Sequence, residues 1–468
     1  MKEVYQKVLD NIPDYKAFLT VDELEESSRQ LAAEYPDLCE IFSIGHTKDG
    51  RDLPCLKIKG GKHIGLMFGC PHPNEPIGTM MLEYLTRTLC ENEEFRNELD
   101  YTWYFVKAWD ADGLKLNEKW LKGPYTIYNY TRNFFRPAGH KQVDWTFPID
   151  YKEMHFHDVT PEAEAMMGLI DKIRPEFIFS LHNAGFGGAY WYISGGDEEL
   201  FEKLRETAKK VGVPLNLGEP EAPECVELSP AVYEELSIRQ SYDYIEKFNP
   251  DADMASIMHY GTNSADYAEQ LCGSFTLLAE LPYFYDERIN DNSEADILRK
   301  DSVLNKLTWG EESSAKLRKL VAEVDPYLNP EDPFLLAIKA FTRGDSNEAT
   351  KAMIATNPDY QRKATVAEAF DNDLVAKFYK DLSYGMMIRA CEDELERMDA
   401  GCEAGPTDKS GEKRRVLDMA LDEAEKMHWE LTDYLEKNIK YQVVPIWKLI
   451  SIQLTSGLLV AEYLKNRA

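Results

Sequence analysis

Three short apolar runs end in a histidine or a glutamate, and that arrangement constrains this chain more than any other feature. Ile64-Gly65-Leu66-Met67-Phe68 leads into Cys70-Pro71-His72-Pro73-Asn74-Glu75-Pro76, and Phe177-Ile178-Phe179-Ser180-Leu181 leads into His182-Asn183-Ala184-Gly185. Ser274-Phe275-Thr276-Leu277-Leu278-Ala279 closes on Glu280-Leu281-Pro282. Short uninterrupted apolar runs bounded by turn formers predict strands buried on both faces. After the first of them, Ile77 to Cys90 places Met81, Leu82, Leu85 and Leu89 on one helical stripe. Strand, loop and helix in that order predict an α/β fold with a mixed, mostly parallel twisted sheet and helices on both faces. Open sheets of this kind keep their sites beyond the carboxyl ends of the strands, where His72, Glu75, His182 and Glu280 fall.

An imidazole and a carboxylate three positions apart can converge on one metal ion, and His72 with Glu75 supplies ligand types that suit Zn2+. His182, placed before a glycine-rich loop that lets a ligand approach the backbone, is the third ligand. Three protein ligands leave a position for water, zinc lowers that water's pKa to about 7, and a nearby carboxylate such as Glu280 can take the proton and pass it to a leaving amine. A second pair, His155 and His157, alternates as two residues on one strand face would. His46 reads as a turn residue in the hairpin signal Thr47-Lys48-Asp49-Gly50, and Asp110 and Asp112 read as turn or helix-cap residues. From Trp120 to Pro148 the chain is aromatic and irregular, and its Arg132, Asn133 and Arg136 either grip a carboxylate by charge-assisted hydrogen bonds or form surface ion pairs. Helices are predicted at Glu198 to Val211 and Pro230 to Phe248, with Met258 to Glu269 loop-like.

The balance of 53 basic and 83 acidic residues gives a net charge of −30, which repels polyphosphate and anionic lipid and argues against nucleic acid or membrane partners. Eight cysteines without a Cys-x-x-Cys pair, and a start that lacks the apolar core of a signal peptide, predict reduced thiols and a cytoplasmic location. Tyr441 to Leu464 is interrupted by Pro445, Lys448, Gln453 and Glu462 and reads as a buried helix.

Taken together, these residues resemble the carboxypeptidase A-like zinc metallopeptidases. Gly45-His46-Thr47-Lys48-Asp49-Gly50-Arg51 is similar to that family's strand-linking signature, His72-Pro73-Asn74-Glu75 to its His-x-x-Glu, and Asp110-Ala111-Asp112-Gly113 to its Asn-Pro-Asp-Gly. Arg132-Asn133-Phe134 resembles its carboxylate clamp, Leu181-His182 its third-ligand strand, and Phe275 to Leu281 the strand carrying its catalytic glutamate. Spacings of 107 residues from Glu75 to His182 and 98 from His182 to Glu280 are compatible with that architecture. The resemblance covers roughly residues 20 to 290 and implies one Zn2+ on His72, Glu75 and His182, with Glu280 as general base and acid. It implies Arg132 as the holder of a terminal carboxylate and Tyr260 as a tyrosine that closes on the substrate. Three positions depart from the pattern. Thr131 precedes the clamp arginine, leaving Asn133 or Arg136 as the extra donor; Leu121, between Lys119 and Lys122, stands where a carbonyl-polarising arginine belongs; and Ala265 at the specificity position brings no charge.

Beyond about Pro326 the strand patterns vanish, which predicts a catalytic domain over 1–325 and an all-helical C-terminal domain over 326–468, broken at Ala400 to Lys413. Leu449, Ile452, Leu454, Leu458, Leu459 and Tyr463 form the expected buried face of the last helix, packed on the catalytic domain or serving a homo-oligomer contact. The expected activity is zinc-dependent hydrolysis of a peptide bond near a free C-terminal carboxylate. The alternatives are a zinc deacylase of N-acyl amino acids and a catalytically silent zinc-binding scaffold.

Overall fold

The computed structural model describes residues 2–344, 347–402 and 411–467. Its main sheet contains β1 (Cys39–His46), β2 (Asp52–Ile58), β3 (His63–Gly69), β4 (Tyr101–Val106), β5 (Phe177–His182), β6 (Tyr190–Ile193), β7 (Glu227–Ser229), β8 (Val232–Glu234) and β9 (Phe275–Glu280). They lie in the order β1-β2-β4-β3-β5-β9-β6-β8-β7. The four central strands β4, β3, β5 and β9 run parallel, and antiparallel pairs join them on either side. The predicted hairpin is present as β1 and β2, turning at Asp49-Gly50.

Alternation along the central strands explains why they read as continuous apolar runs. Leu66, Phe68 and Ile178 point into one core layer, where Met166, Leu169 and Ile170 pack against them. Met67, Phe177, Phe179 and Leu181 point the other way, into a layer with Met81, Leu82 and Leu85. A helix covers each face: α1 (Ile77–Glu91) on the second and α2 (Pro161–Ile173) on the first. Glycine is required where α1 meets the strand ends, since a Cβ on Gly78 would sit 2.5 Å from the Leu181 Cβ.

The C-terminal part is largely helical: α3 (Arg299–Val324), α4 (Pro333–Phe341), α5 (Ala376–Asp399), α6 (Glu412–Asn438) and α7 (Ile446–Lys465). It is sewn to the rest by two small strand pairs, Phe284–Tyr285 with Gln442–Val443 and Glu294–Leu298 with Lys363–Thr365. Helix α7 lies on the same sheet face as α1. Its Leu449, Ile452, Leu454 and Leu458 are buried, and Gly457 comes so close to the sheet that an added Cβ would meet the Phe179 ring at 3.0 Å. The Trp191 indole N–H donates to Ser456 across that contact at 3.0 Å. Among the described residues no helix is long and apolar enough to cross a membrane.

Local differences from the sequence reading have local causes. Thr126 caps a helix at Ile127–Asn133 inside the segment expected to be irregular, and Asn263 caps Ser264–Cys272 where a loop was expected. Val232 and Tyr233, expected to open a helix, instead pair in parallel with Trp191 and Tyr192, so the helix begins at Ile238. Residues 403–410 of the expected break lie outside the described residues.

Candidate active site

Register brings the site together. β3, β5 and β9 are parallel, and Glu280 on β9 is directly paired with His182 on β5. Beyond β3, Cys70 turns the chain with a positive φ of 56° and starts the loop that carries His72 and Glu75 to the same edge. Helix α1 begins immediately after Pro76, so its amino terminus fixes the far end of that loop.

His72, Glu75 and His182 are all buried, and one potential ligand atom from each lies within 4.8 Å of the others. His72 Nδ1 is 3.1 Å from Glu75 Oε1, and His182 Nδ1 is 2.9 Å from Glu75 Oε2. Both imidazoles thus aim the same nitrogen at the two oxygens of one carboxylate. Burial, followed by the charge of Arg136, lowers the His72 pKa to about 3, so this ring is neutral and keeps a lone pair for a metal. Burial alone would raise Glu75, but His72 and His182 outweigh it and hold the carboxylate ionised. Two imidazoles and a carboxylate in a buried cluster fit Zn2+. Glu280 Oε1 is 3.6 Å from His182 Nδ1, and burial together with the charge of Glu75 raises its pKa well above the ordinary carboxylate range.

A model of the zinc carboxypeptidase family matches residues 24–277, more than half of the 468-residue chain. The chain belongs to the zinc carboxypeptidase family. No curated protein sequence matches it. Among solved structures it is similar to bovine thrombin-activatable fibrinolysis inhibitor in complex with tick carboxypeptidase inhibitor, at 13% identity over 72% of this chain and 96% of that one, with a TM-score of 0.34. It is also similar to carboxypeptidase A from Helicoverpa armigera, at 13% identity over 76% of this chain and 80% of that one, with a TM-score of 0.37. A metallo-carboxypeptidase from Burkholderia cenocepacia matches at 15% identity over 57% and 61%, with a TM-score of 0.33.

In this member of the zinc carboxypeptidase family the His-x-x-Glu pair and the distant His are intact and line a cavity of about 480 Å3. Arg136 lines that cavity, with Nη1 3.1 Å from Glu75 Oε1 and two further bonds to Gln142 Oε1. Ala265 lines it as well. Among the described residues the lining does not include Arg132, Asn133 or Tyr260. Arg132 is ion-paired with Glu392 on α5 at 2.6 Å, and the Asn133 amide bonds Asn129. Tyr260 packs against Trp145 and His259, and burial pushes its hydroxyl up to about 12. Lys122 bonds Glu23 and the Phe18 carbonyl. His155 and His157 are exposed and share Asp150, and His46 is exposed beside Asp52. Asp110 is a helix cap, its Oδ1 accepting from Gly113 N at 2.9 Å.

Residues that orient the His72-Glu75-His182 triad went unnoticed in the sequence. The Asn183 N–H donates to Glu75 Oε2, while its side chain bonds Ile77 N, Leu281 O and the Tyr283 hydroxyl, tying the ends of three elements together. Ser180 Oγ meets His182 Nε2 at 2.8 Å, and alternation along β5 is the signal that puts the two on one face. Gln453 of α7 donates to the His182 carbonyl at 3.1 Å. In the sequence it was a polar interruption in an apolar helix, with nothing to name its partner.

Proposed function

We propose that this chain is a zinc-dependent metallopeptidase that hydrolyses a peptide bond near a free carboxylate, with His72, Glu75 and His182 as ligands and Glu280 as general base and acid. The observation that carries the reading is the position of Glu280, 3.6 Å from a ligand imidazole at the end of the neighbouring parallel strand. Zinc held by these three side chains supplies a Lewis acid and a water acidified to a pKa of about 7. Glu280 takes the proton from the attacking water and returns it to the leaving amine, from a position at the strand end beside the His182 imidazole. Arg136, beside Glu75, presents a guanidinium to the charge that develops on the carbonyl oxygen. Ser180 and Asn183 hold His182 and Glu75 in the orientation the ligands need.

The test is hydrolysis of a mixed panel of peptides and N-acyl amino acids, with and without a chelator, by the full-length chain and by Glu280→Gln. Activity should vanish on chelation. The variant should keep its zinc and its fold while kcat falls at least about a hundredfold, the low end for a general acid-base group. Chelator-resistant hydrolysis, or an unchanged kcat, would overturn the reading.

A further inference from the structure

The proposed reaction needs a cation for the substrate's carboxylate, and the sequence pointed to Arg132. That arginine is engaged by Glu392 on α5. Among the described residues the cavity wall carries two lysine or arginine side chains, Arg136 and Lys380. Arg136 is already bonded to Glu75 and Gln142. Lys380 projects from α5, and its Nζ donates to the neutral Ser314 hydroxyl of α3 at 2.8 Å. No carboxylate among the described residues forms an ion pair with it.

Lys380 is half-buried, and burial lowers its pKa from the ordinary lysine value, while the charge of Glu311 across the second cavity acts in the opposite direction. An ammonium has three donors, and desolvating it without a directly ion-paired carboxylate is costly. A second cavity of about 460 Å3, walled by α3 and α5, shares Ala184, Glu221, Phe341, Ala376, Tyr379 and Lys380 with the first. Lys380 therefore stands where the two spaces join. The neighbouring Tyr379 fixes this part of α5 to the loop after His182, its hydroxyl donating to the Phe186 carbonyl at 3.2 Å.

We infer that Lys380 binds the substrate carboxylate, so that the helical C-terminal part supplies the anion-recognition element of a site whose metal-binding triad comes from the strand ends and the loop after β3. This rests on the proposed peptidase reading for its substrate class. The carboxylate is either the chain terminus of the peptide or an acidic side chain beside the scissile bond, and both offer the same chemistry to an ammonium.

The experiment uses the full-length, zinc-loaded protein with two matched peptide pairs: a free acid against its C-terminal amide, and a Glu-containing peptide against its Gln counterpart with both termini blocked. Binding is measured by calorimetry and hydrolysis by product release, for the wild type, Lys380→Met and Lys380→Arg. The wild type should prefer the carboxylate member of one pair by about tenfold or more, as expected for a charge-assisted hydrogen bond. Lys380→Met should abolish that preference, mainly through affinity and KM and with an unchanged melting temperature, and Lys380→Arg should retain part of it. A preference in the first pair identifies the terminal carboxylate, and one in the second an acidic side chain. A wild type without preference in either pair, or a Lys380→Met protein that keeps it, would overturn the inference. If no peptide is hydrolysed by the wild type, the peptidase reading fails, while the binding comparison still decides whether Lys380 holds a carboxylate.

Discussion

Asp110 shows how a single buried carboxyl at a strand end can be structural while looking like chemistry. It caps the helix that starts at Ala111, and burial raises its pKa to about 7 from an ordinary value near 4. Between those values the folded chain holds a proton that the unfolded chain has lost. The contribution of Asp110 to stability is therefore complete below about pH 4 and declines as the pH rises through about 7. Asparagine also serves as an N-cap and has no charge to bury. Asp110→Asn should gain on the wild type as pH increases from 5 to 8, by up to roughly 3 kcal/mol, in denaturant unfolding at each pH. A stability difference independent of pH would show that the carboxyl is ionised throughout.

At the scale of the element, the strands, the hairpin and the ligand loop were legible because one physical signal dominates each. A strand buried on both faces has no polar positions to spare, so Leu66 to Phe68 and Phe177 to Phe179 stand out, and turn formers mark where they stop. The same logic placed His72, Glu75, His182 and Glu280 at one edge. The substrate side was less legible because it depends on long-range pairing: Arg132 is drawn to Glu392, 260 residues away, and Lys380 borders the cavity from a helix that carries no site-like motif. Short strands such as Val232–Glu234 exist only because a neighbour is there to pair with, which no local pattern records. Close packing of α1 on the strand ends gives a direct test. Gly78→Ala would press a methyl against Leu181, next to His182, and the overpacking should cost about 1–3 kcal/mol in thermal unfolding. An unchanged melting temperature would mean that the helix can shift without loss.

For the whole molecule, the C-terminal part is built into the active region in two ways. Helix α7 fills the sheet face opposite α2 and reaches the His182 backbone through Gln453. Helices α3 and α5 wall the second cavity, and α5 borders the first. The net charge of −30 surrounds a triad that could hold a metal and carries a single carboxylate, which gives a divalent cation a favourable field to enter. Everything proposed about the reaction rests on that cation. The most direct measurement is the zinc content of the full-length protein by elemental mass spectrometry, with His72→Ala and His182→Ala prepared alongside and their folding checked by circular dichroism. One zinc ion per wild-type chain, and strongly reduced zinc in both folded variants, is the predicted result. A wild type that binds no zinc when it is offered, or folded variants that bind as much as the wild type, would contradict the account.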